Sequence, residues 1–281
     1  MALVINTNVQ ALSIQNNLNA ATSSMNTAMK RMSTGFKINS AADDAAGSAI
    51  SAQYETTLSS SKVASQNVQI GSNLLTSKEG TLDSIKANLQ RIRDLAEQSA
   101  NGTYSAKDRA AMAAEVTQRA AEIDRVSANS GFSGSTVGAA TVDIQVGTGT
   151  GTSDTIGLSG SIFAAATVTA LGGAAMNTAG IATGFTDAAS SKTFLGTVDT
   201  ALQNVSDRKT QIGAFQNRLT SAASNLAAEQ VNTAASNSTI KDADVATESA
   251  NYVKAQILQQ ASVSLLSQAN SAPQVALKLI G

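Results

Sequence analysis

A thin apolar stripe with seven-residue periodicity occurs at both ends of this chain, and it constrains the fold more than any other feature. Near the start, Val4, Thr7, Ala11, Ile14, Leu18, Ala21, Met25, Ala28 and Met32 follow one another at alternating spacings of three and four. Near the end, Leu258, Ala261, Leu265, Gln268, Ala272, Val275 and Leu279 repeat the pattern. That alternation draws one narrow seam along a long helix, the arrangement by which helices pair side by side. Chain ends are ordinarily the frayed part of a domain. Here both are built to pair, with each other or with further copies of the chain.

A third seam, Leu75, Lys78, Leu82, Ile85, Leu89, Ile92 and Ala96, lies in a stretch that reads as helix from about Ala45 to Ala100. A helix of that extent runs roughly 80 Å at 1.5 Å per residue and needs a bundle partner. Asn101-Gly102 stops it. Ser105, with Asp108 in the capping-box position, opens a shorter helix whose stripe is Met112, Val116, Ala120, Ile123 and Val126, ended by Ser130-Gly131. Residues 141–146 alternate, a Gly/Thr run follows, and Thr155-Ile156-Gly157-Leu158 completes a predicted hairpin. Residues 159–190, rich in Ala, Gly and Thr with weak periodicity, read as a small exposed lobe. Helix returns with Leu195, Val198, Leu202, Val205, Lys209, Ile212, Gln216, Leu219, Ala223 and Leu226.

Two linkers occupy mirrored positions. Gly35 breaks the first seam, Asn39-Ser40 reads as an N-cap, and a new helix is expected from Ala41 with Asp43-Asp44 in its first turn. Adjacent carboxylates there complement the helix dipole rather than bind a metal. Asp242 and Asp244 open the terminal helix. The expected fold is therefore mainly α, a long helical bundle and coiled coil of paired N- and C-terminal segments with a small β-hairpin and a Gly/Ala/Thr-rich insertion. Residues 1–32 with 243–281 form a terminal-helix domain, and 41–147 with 193–236 a helical bundle bearing the hairpin. Residues 148–192 form a variable exposed insertion, and 33–40 and 237–242 are linkers.

Composition narrows the chemistry. The 281 residues include no Cys and no His, which removes disulfides, thiolate metal sites, thiol nucleophiles and the usual general base. A Ser–Lys pair or paired carboxylates remain, but no convergent set of them is visible, so neither catalysis, a metal nor a cofactor is expected. A formal net charge of -1 gives no attraction to nucleic acid or anionic lipid. There is no Trp, and a single proline, Pro273, leaves the helices almost uninterrupted. No secretory signal is visible, and no run of about 18 apolar residues is available to span a bilayer. The Gly/Thr run lacks the Lys-Ser/Thr ending of a phosphate loop, while Asn101-Gly102-Thr103 fits a glycosylation sequon.

Several blocks carry a family resemblance. Met1–Asn8 (Met-Ala-Leu-Val-Ile-Asn-Thr-Asn) resembles the start of bacterial flagellins. Arg31–Ser51, which contains Ile-Asn-Ser-Ala-Ala-Asp-Asp-Ala-Ala-Gly, resembles that family's most recognisable block. Leu89–Asn101, Glu122–Val126, Gln256–Ala261 and Leu266–Pro273 are similar to further blocks, in the same order. The resemblance spans about 1–147 and 193–281, leaving 148–192 unmatched.

The resemblance implies a structural subunit that polymerises into the flagellar filament for swimming, with terminal helices lining the tube and the insertion outward. It implies export, without a cleaved signal peptide, through the flagellar export apparatus with an export chaperone. The expected location is therefore extracellular, with the filament cap and hook-associated proteins as partners. The assembly seam is then Val4, Ala11, Ile14, Leu18, Met25, Leu258, Ala261, Leu265, Ala272, Val275 and Leu279. Narrow Ala-rich seams should gain order only when neighbouring subunits bury them.

Arg91 and Leu95, one turn apart and off the Leu89–Ile92–Ala96 seam, are either packed against a third helix or exposed at an interface. With Glu115 they match flagellin positions bound by the vertebrate immune receptor Toll-like receptor 5, although Glu97 adds a charge where many relatives are apolar. Ser and Thr in 148–192 could accept O-linked sugar, as in some flagellins. The nearest rivals are the hook–filament junction protein, which shares the terminal helices, and a secreted adhesin or immune-receptor ligand. Continuity through Leu89–Asn101 and Gln256–Pro273 favours flagellin.

Overall fold

The computed structural model describes residues 7–130 and 141–280, with side chains through residue 271. Eight helices and one hairpin occur among these residues, apart from two short 3-10 turns. They are α1 (Val9–Thr34), α2 (Ala45–Ser99), α3 (Ala106–Ala128), β1 (Val142–Gln145), β2 (Thr155–Leu158), α4 (Gly160–Phe163), α5 (Val168–Gly172), α6 (Thr178–Gly184), α7 (Ala188–Lys241) and α8 (Val245–Ile280). They fall into two compact units, Met1–Leu58 with Val231–Gly281, and Ser59–Gln230.

In the first unit α1 and α8 lie antiparallel, as the contacts Asn8–Ala269, Thr22–Gln259 and Arg31–Glu248 require. Gly35 ends α1 in the left-handed region (φ 74°), where a side chain is strained, and donates its N–H to Arg31 O. The chain then meets the junction of α7 and α8 in a short antiparallel bridge. Lys37 N–H donates to Lys241 O at 2.7 Å and Ala243 N–H to Gly35 O at 2.9 Å. Lys241 lies 4.8 Å from the Phe36 ring centroid and pairs with Glu55.

Both linkers depart from expectation. Residues 41–43 form a turn, not a helix, because the Asp43 carboxylate accepts from the N–H groups of Asn39 and Ser40. Those bonds hold Asp43 below the ordinary carboxylate range, the Ser40 hydroxyl contributing most. Helix begins at Ala45, where Asp44 accepts from Gly47 N–H as an N-cap does. The second linker is replaced by helix: α7 continues through 237–241, tied by Ser51 to Asn237 at 2.7 Å, and the chain turns only at 242–244.

The second unit carries the main core. Along α2 the seam Leu75, Leu82, Ile85, Leu89, Ile92 and Ala96 is buried, joined by Ala64 and Val68. It faces α7 through Phe194, Val198, Ala201, Val205, Ile212, Leu219 and Leu226, and α3 through Val116, Ala120 and Ile123. Of the α7 stripe expected, Val198, Val205, Ile212, Leu219 and Leu226 are buried. The intervening buried positions are Phe194 and Ala201, one residue before Leu195 and Leu202. Antiparallel pairing of α2 with α7 is marked by Ser99–Ser191 (2.8 Å) and Arg93–Asp199 (2.7 Å). Ser105 and Asp108 form the capping box of α3 as expected. The hairpin pairs Val142 with Leu158 and Ile144 with Ile156. Gly71 lets it approach α2, since a Cβ there would meet Ile144 Cγ1 at 3.3 Å.

Lys78 occupies one seam position of α2. Its ammonium donates to the carbonyl and hydroxyl oxygens of Ser130, just beyond α3, and sits 6.0 Å from the Phe163 ring centroid. Burial pushes its pKa down.

The segment 148–192 is not an exposed lobe. Ile156, Leu158, Ile162, Phe163, Val168, Leu171, Met176, Ile181 and Phe185 are all buried in the same core. Arg208 donates to Ala164 O (2.9 Å), Asn204 to Leu171 O (2.7 Å), and Val168 N–H to Asp124 Oδ1 (2.8 Å). The apolar residues arrive one or two at a time from a four-residue strand, a short turn and helices of four to seven residues, so no helical period marks them. Phe163→Ala should therefore destabilise this unit by about 3–5 kcal/mol. Denaturant unfolding followed by circular dichroism measures it; an unchanged midpoint would restore the exposed-lobe reading.

Candidate functional site

The α1–α8 pair is joined by small and polar side chains. On α1, Ala21 and Ala28 are buried and Ala11, Ile14, Leu18 and Met25 half-buried, so the seam expected there faces α8. On α8 the facing residues are Glu248, Tyr252, Ala255, Gln259, Ser262, Leu266 and Ala269, again at alternating spacings of four and three. The stripe expected on α8 is off by one position. Leu258 is 49% exposed, Leu265 57%, and Ala261 is exposed too.

The physical reason is contact distance. Alanine and serine at seven-residue intervals let two backbones approach closely, and the bulkier residues are left on the open side. Ala255, Ser262 and Ala269 on α8 are the counterparts of Ala21 and Ala28, and that interval was the available signal. Val4 lies outside the described residues, as do the side chains of Ala272, Val275 and Leu279.

Polar contacts fix the register of the pair. Asn8 caps α1 by accepting from Ala11 N–H and donates Nδ2 to Ala269 O at 2.9 Å. Gln259 Nε2 donates to Thr22 Oγ1 at 3.3 Å. Arg31 pairs with Glu248 at 3.0 Å, a half-sheltered ion pair whose Arg31 Nε has no acceptor. A groove of ≈ 780 Å³ runs along the pair, lined by Ala20, Ser24, Arg31, Glu248, Leu258 and Leu265 among others. Beside it Val253, Ile257 and Leu258 form an exposed apolar strip. Contiguous exposed apolar patches mark interaction surfaces.

In the second unit Arg91 and Glu115 form an exposed bidentate pair between α2 and α3, at 3.0 and 3.4 Å. Arg119 reaches the same carboxylate at 3.3 Å and Asn88 at 3.2 Å. The hydrogen bond from Arg91 holds the Glu115 carboxyl below its ordinary value and raises that of the guanidinium. Leu95 does not join them. It is 3% exposed, packed in the core, because α2 serves two neighbours and its apolar face is wider than one seam. Of the two readings left open for Leu95, exposure at an interface does not hold.

Residues 5–141 match the family model described as the bacterial flagellin N-terminal helical region, and residues 195–280 match that of the C-terminal helical region. The chain belongs to the bacterial flagellin family. A flagellin of Halalkalibacterium halodurans is 34% identical, covering 99% of this chain and 100% of that one. The flagellar filament 33 kDa core protein of Treponema phagedenis is also 34% identical, with coverage of 99% and 100%. A crystal structure of Bacillus cereus flagellin aligns over 57% of this chain and 88% of its own, with 28% identity and a TM-score of 0.46. The two matched regions contain α1, α2, α3 and α8 and most of α7, so the family signature coincides with the long helices.

Among the described residues no group of three or more acidic side chains is placed to hold a metal, and no helix is long and apolar enough to cross a membrane. The chemistry this flagellin offers is surface: an open apolar strip on α8, and a charged network on α2 and α3.

The Cys-free sequence makes the α8 register testable. Single cysteines replacing Leu258 or Leu265 should label with a maleimide faster than cysteines replacing Ala255 or Ser262; equal rates would place the seam elsewhere. The Glu115 pair has a defined pH dependence. Because its folded pKa is depressed, the stabilisation is fully present above the unfolded value of about 4.3 and is lost as pH falls through the folded one. Carboxyl NMR should show the Glu115 midpoint rising in Arg91→Gln; an unmoved midpoint would remove Arg91 as the cause.

Proposed function

We propose that this chain is the structural subunit of a bacterial flagellar filament and that it assembles by burying the open face of α1 and α8 against neighbouring copies. The observation that carries the reading is the apolar strip Val253, Ile257, Leu258 and Leu265, left exposed by a pair whose buried positions are Ala21, Ala28, Glu248, Ala255, Ser262 and Ala269. Such a seam removes little apolar surface from water, so the pair gains stability when further helices cover it. Ordering and assembly are then linked, because anything that binds only the ordered form stabilises it. A head-to-tail contact that does not close gives a helical polymer rather than a ring.

Within this reading Ala11, Ile14, Leu18 and Met25 set the α1–α8 pairing, and Leu258, Ala261 and Leu265 meet neighbours. Val4, Ala272, Val275 and Leu279 continue the same spacing in the sequence. The role is structural and non-catalytic, which a chain without His or Cys suits. The filament is extracellular, reached through the flagellar export apparatus with its chaperone, and the cap and hook-associated proteins bound it. The exposed Arg91–Glu115 network supports a second contact surface, for a neighbouring subunit or an immune receptor, without Leu95.

Purified subunits added to filament fragments should elongate them. Leu258→Asp with Leu265→Asp, or removal of residues 1–30 or 250–281, should abolish elongation while the helical signal of the second unit persists. Growth at the parental rate after either change would overturn the proposed interface, and bounded rings from the parental chain would favour the hook–filament junction reading.

A further inference from the structure

The turn that closes α2 holds an asparagine in an activating environment. Asn101, Gly102 and Thr103 are exposed, and nothing lies within 4 Å of the point where a Gly102 side chain would begin. Asn101 Oδ1 accepts two hydrogen bonds, from Thr103 N–H and from Thr103 Oγ1, each at 3.1 Å. Tyr104 N–H and Arg109 Nη1 both donate to the Asn101 carbonyl oxygen, which fixes the turn. Among the described residues no hydrogen bond occupies the Gly102 N–H.

Outside the helices, Asn39 and Asn129 also precede serine but are held differently. Asn39 donates Nδ2 to Phe36 O at 2.8 Å, and Asn129 donates Nδ2 to Arg125 O at 2.9 Å. In those two, the nitrogen that would have to leave is tied down. In Asn101 the oxygen is polarised instead, by two donors placed where negative charge develops when the amide carbon is attacked.

We propose that Asn101 is a self-modifying site: the Gly102 nitrogen cyclises onto its side chain, and the residue converts to aspartate and isoaspartate. The Gly102 nitrogen loses its proton and forms a bond to Asn101 Cγ. The Cγ–Nδ2 bond breaks, and ammonia departs with that proton. Water then opens the five-membered imide at either carbonyl. No oxidant, metal or enzyme is consumed. Glycine is the residue that leaves the attacking nitrogen least hindered. The product places a new negative charge at the C-terminal end of α2, where the helix dipole is already negative, beside Arg109, which is bonded to Ser99 O at 3.2 Å.

The test is ageing of the full chain in mildly alkaline buffer, followed by tryptic peptide mass spectrometry and isoaspartate-specific methylation. Peptide 94–107 contains Asn101 as its single asparagine. It should gain one mass unit and isoaspartate earlier than the peptides bearing Asn39 and Asn129. Thr103→Val, which keeps the backbone donor and removes the hydroxyl, should slow the reaction by roughly tenfold, the rate equivalent of one hydrogen bond. Gly102→Ala should slow it as well, with circular dichroism verifying that both variants are folded. Conversion no faster than at Asn39 and Asn129, a parental rate in Thr103→Val, or a glycan in place of the acid on Asn101 would each overturn the proposal.

Discussion

The closeness of α1 to α8 rests on side chains too small to hold the pair strongly. Ala21 and Ala28 meet a face that carries Ala255, Ser262 and Ala269, so backbones approach while little apolar area leaves water. At about 25 cal/mol per Å² such a seam contributes far less than one of Leu and Ile. Its polar members, Asn8, Thr22, Gln259, Arg31 and Glu248, choose an alignment rather than add much energy. Surface ion pairs and hydrogen bonds are weak net stabilisers, and a narrow helix pair has few other resources. The larger apolar residues stand on the other side of α8, where only something outside the pair can cover them.

The second unit is held by the opposite device. Leu75, Ile85, Leu89, Ile92, Ile123, Ile212 and Leu219 are almost fully buried, and short elements from 148–192 close the core with Phe163, Leu171, Met176 and Ile181. The family match skips 142–194, so the part of the core least constrained by the family is still built into the same cluster. The ion pairs along its flank, Arg91–Glu115 and Arg93–Asp199, are solvent-exposed and decorate a unit whose stability is apolar.

The long elements were legible because their signals are repeated. About six turns of α2, from Leu75 to Ala96, carry the same spacing, Asn101-Gly102 ends the helix, and Ser105 with Asp108 caps the next one. The hairpin showed through alternation around a Gly/Thr turn. Three features escaped for separate reasons. The α8 seam was placed one residue away because Leu258 and Leu265 outweigh Ser262 on any hydropathy scale, whereas close pairing selects small size. Residues 237–241 lack apolar residues at the right interval, yet continue α7 because Asn237 and Lys241 are tied to Ser51 and Glu55. Phe163, Val168 and Leu171 belong to elements of four and five residues, too short to repeat the helical period. The expected α1 seam faces α8; Arg91 and Glu115 are exposed and Leu95 is internal.

Lys78 gives the bundle an index mark. An all-apolar seam with a seven-residue repeat permits α2 and α3 to slide past one another by two turns with little change in contacts. A lone ammonium on that seam forbids the slide, because its acceptors, the two oxygens of Ser130, exist at a single height along the partner. Any shifted arrangement strands a positive charge among leucines and isoleucines, a loss of several kcal/mol. One cation thus works as a dowel, selecting a single alignment from a set of near-equivalent ones.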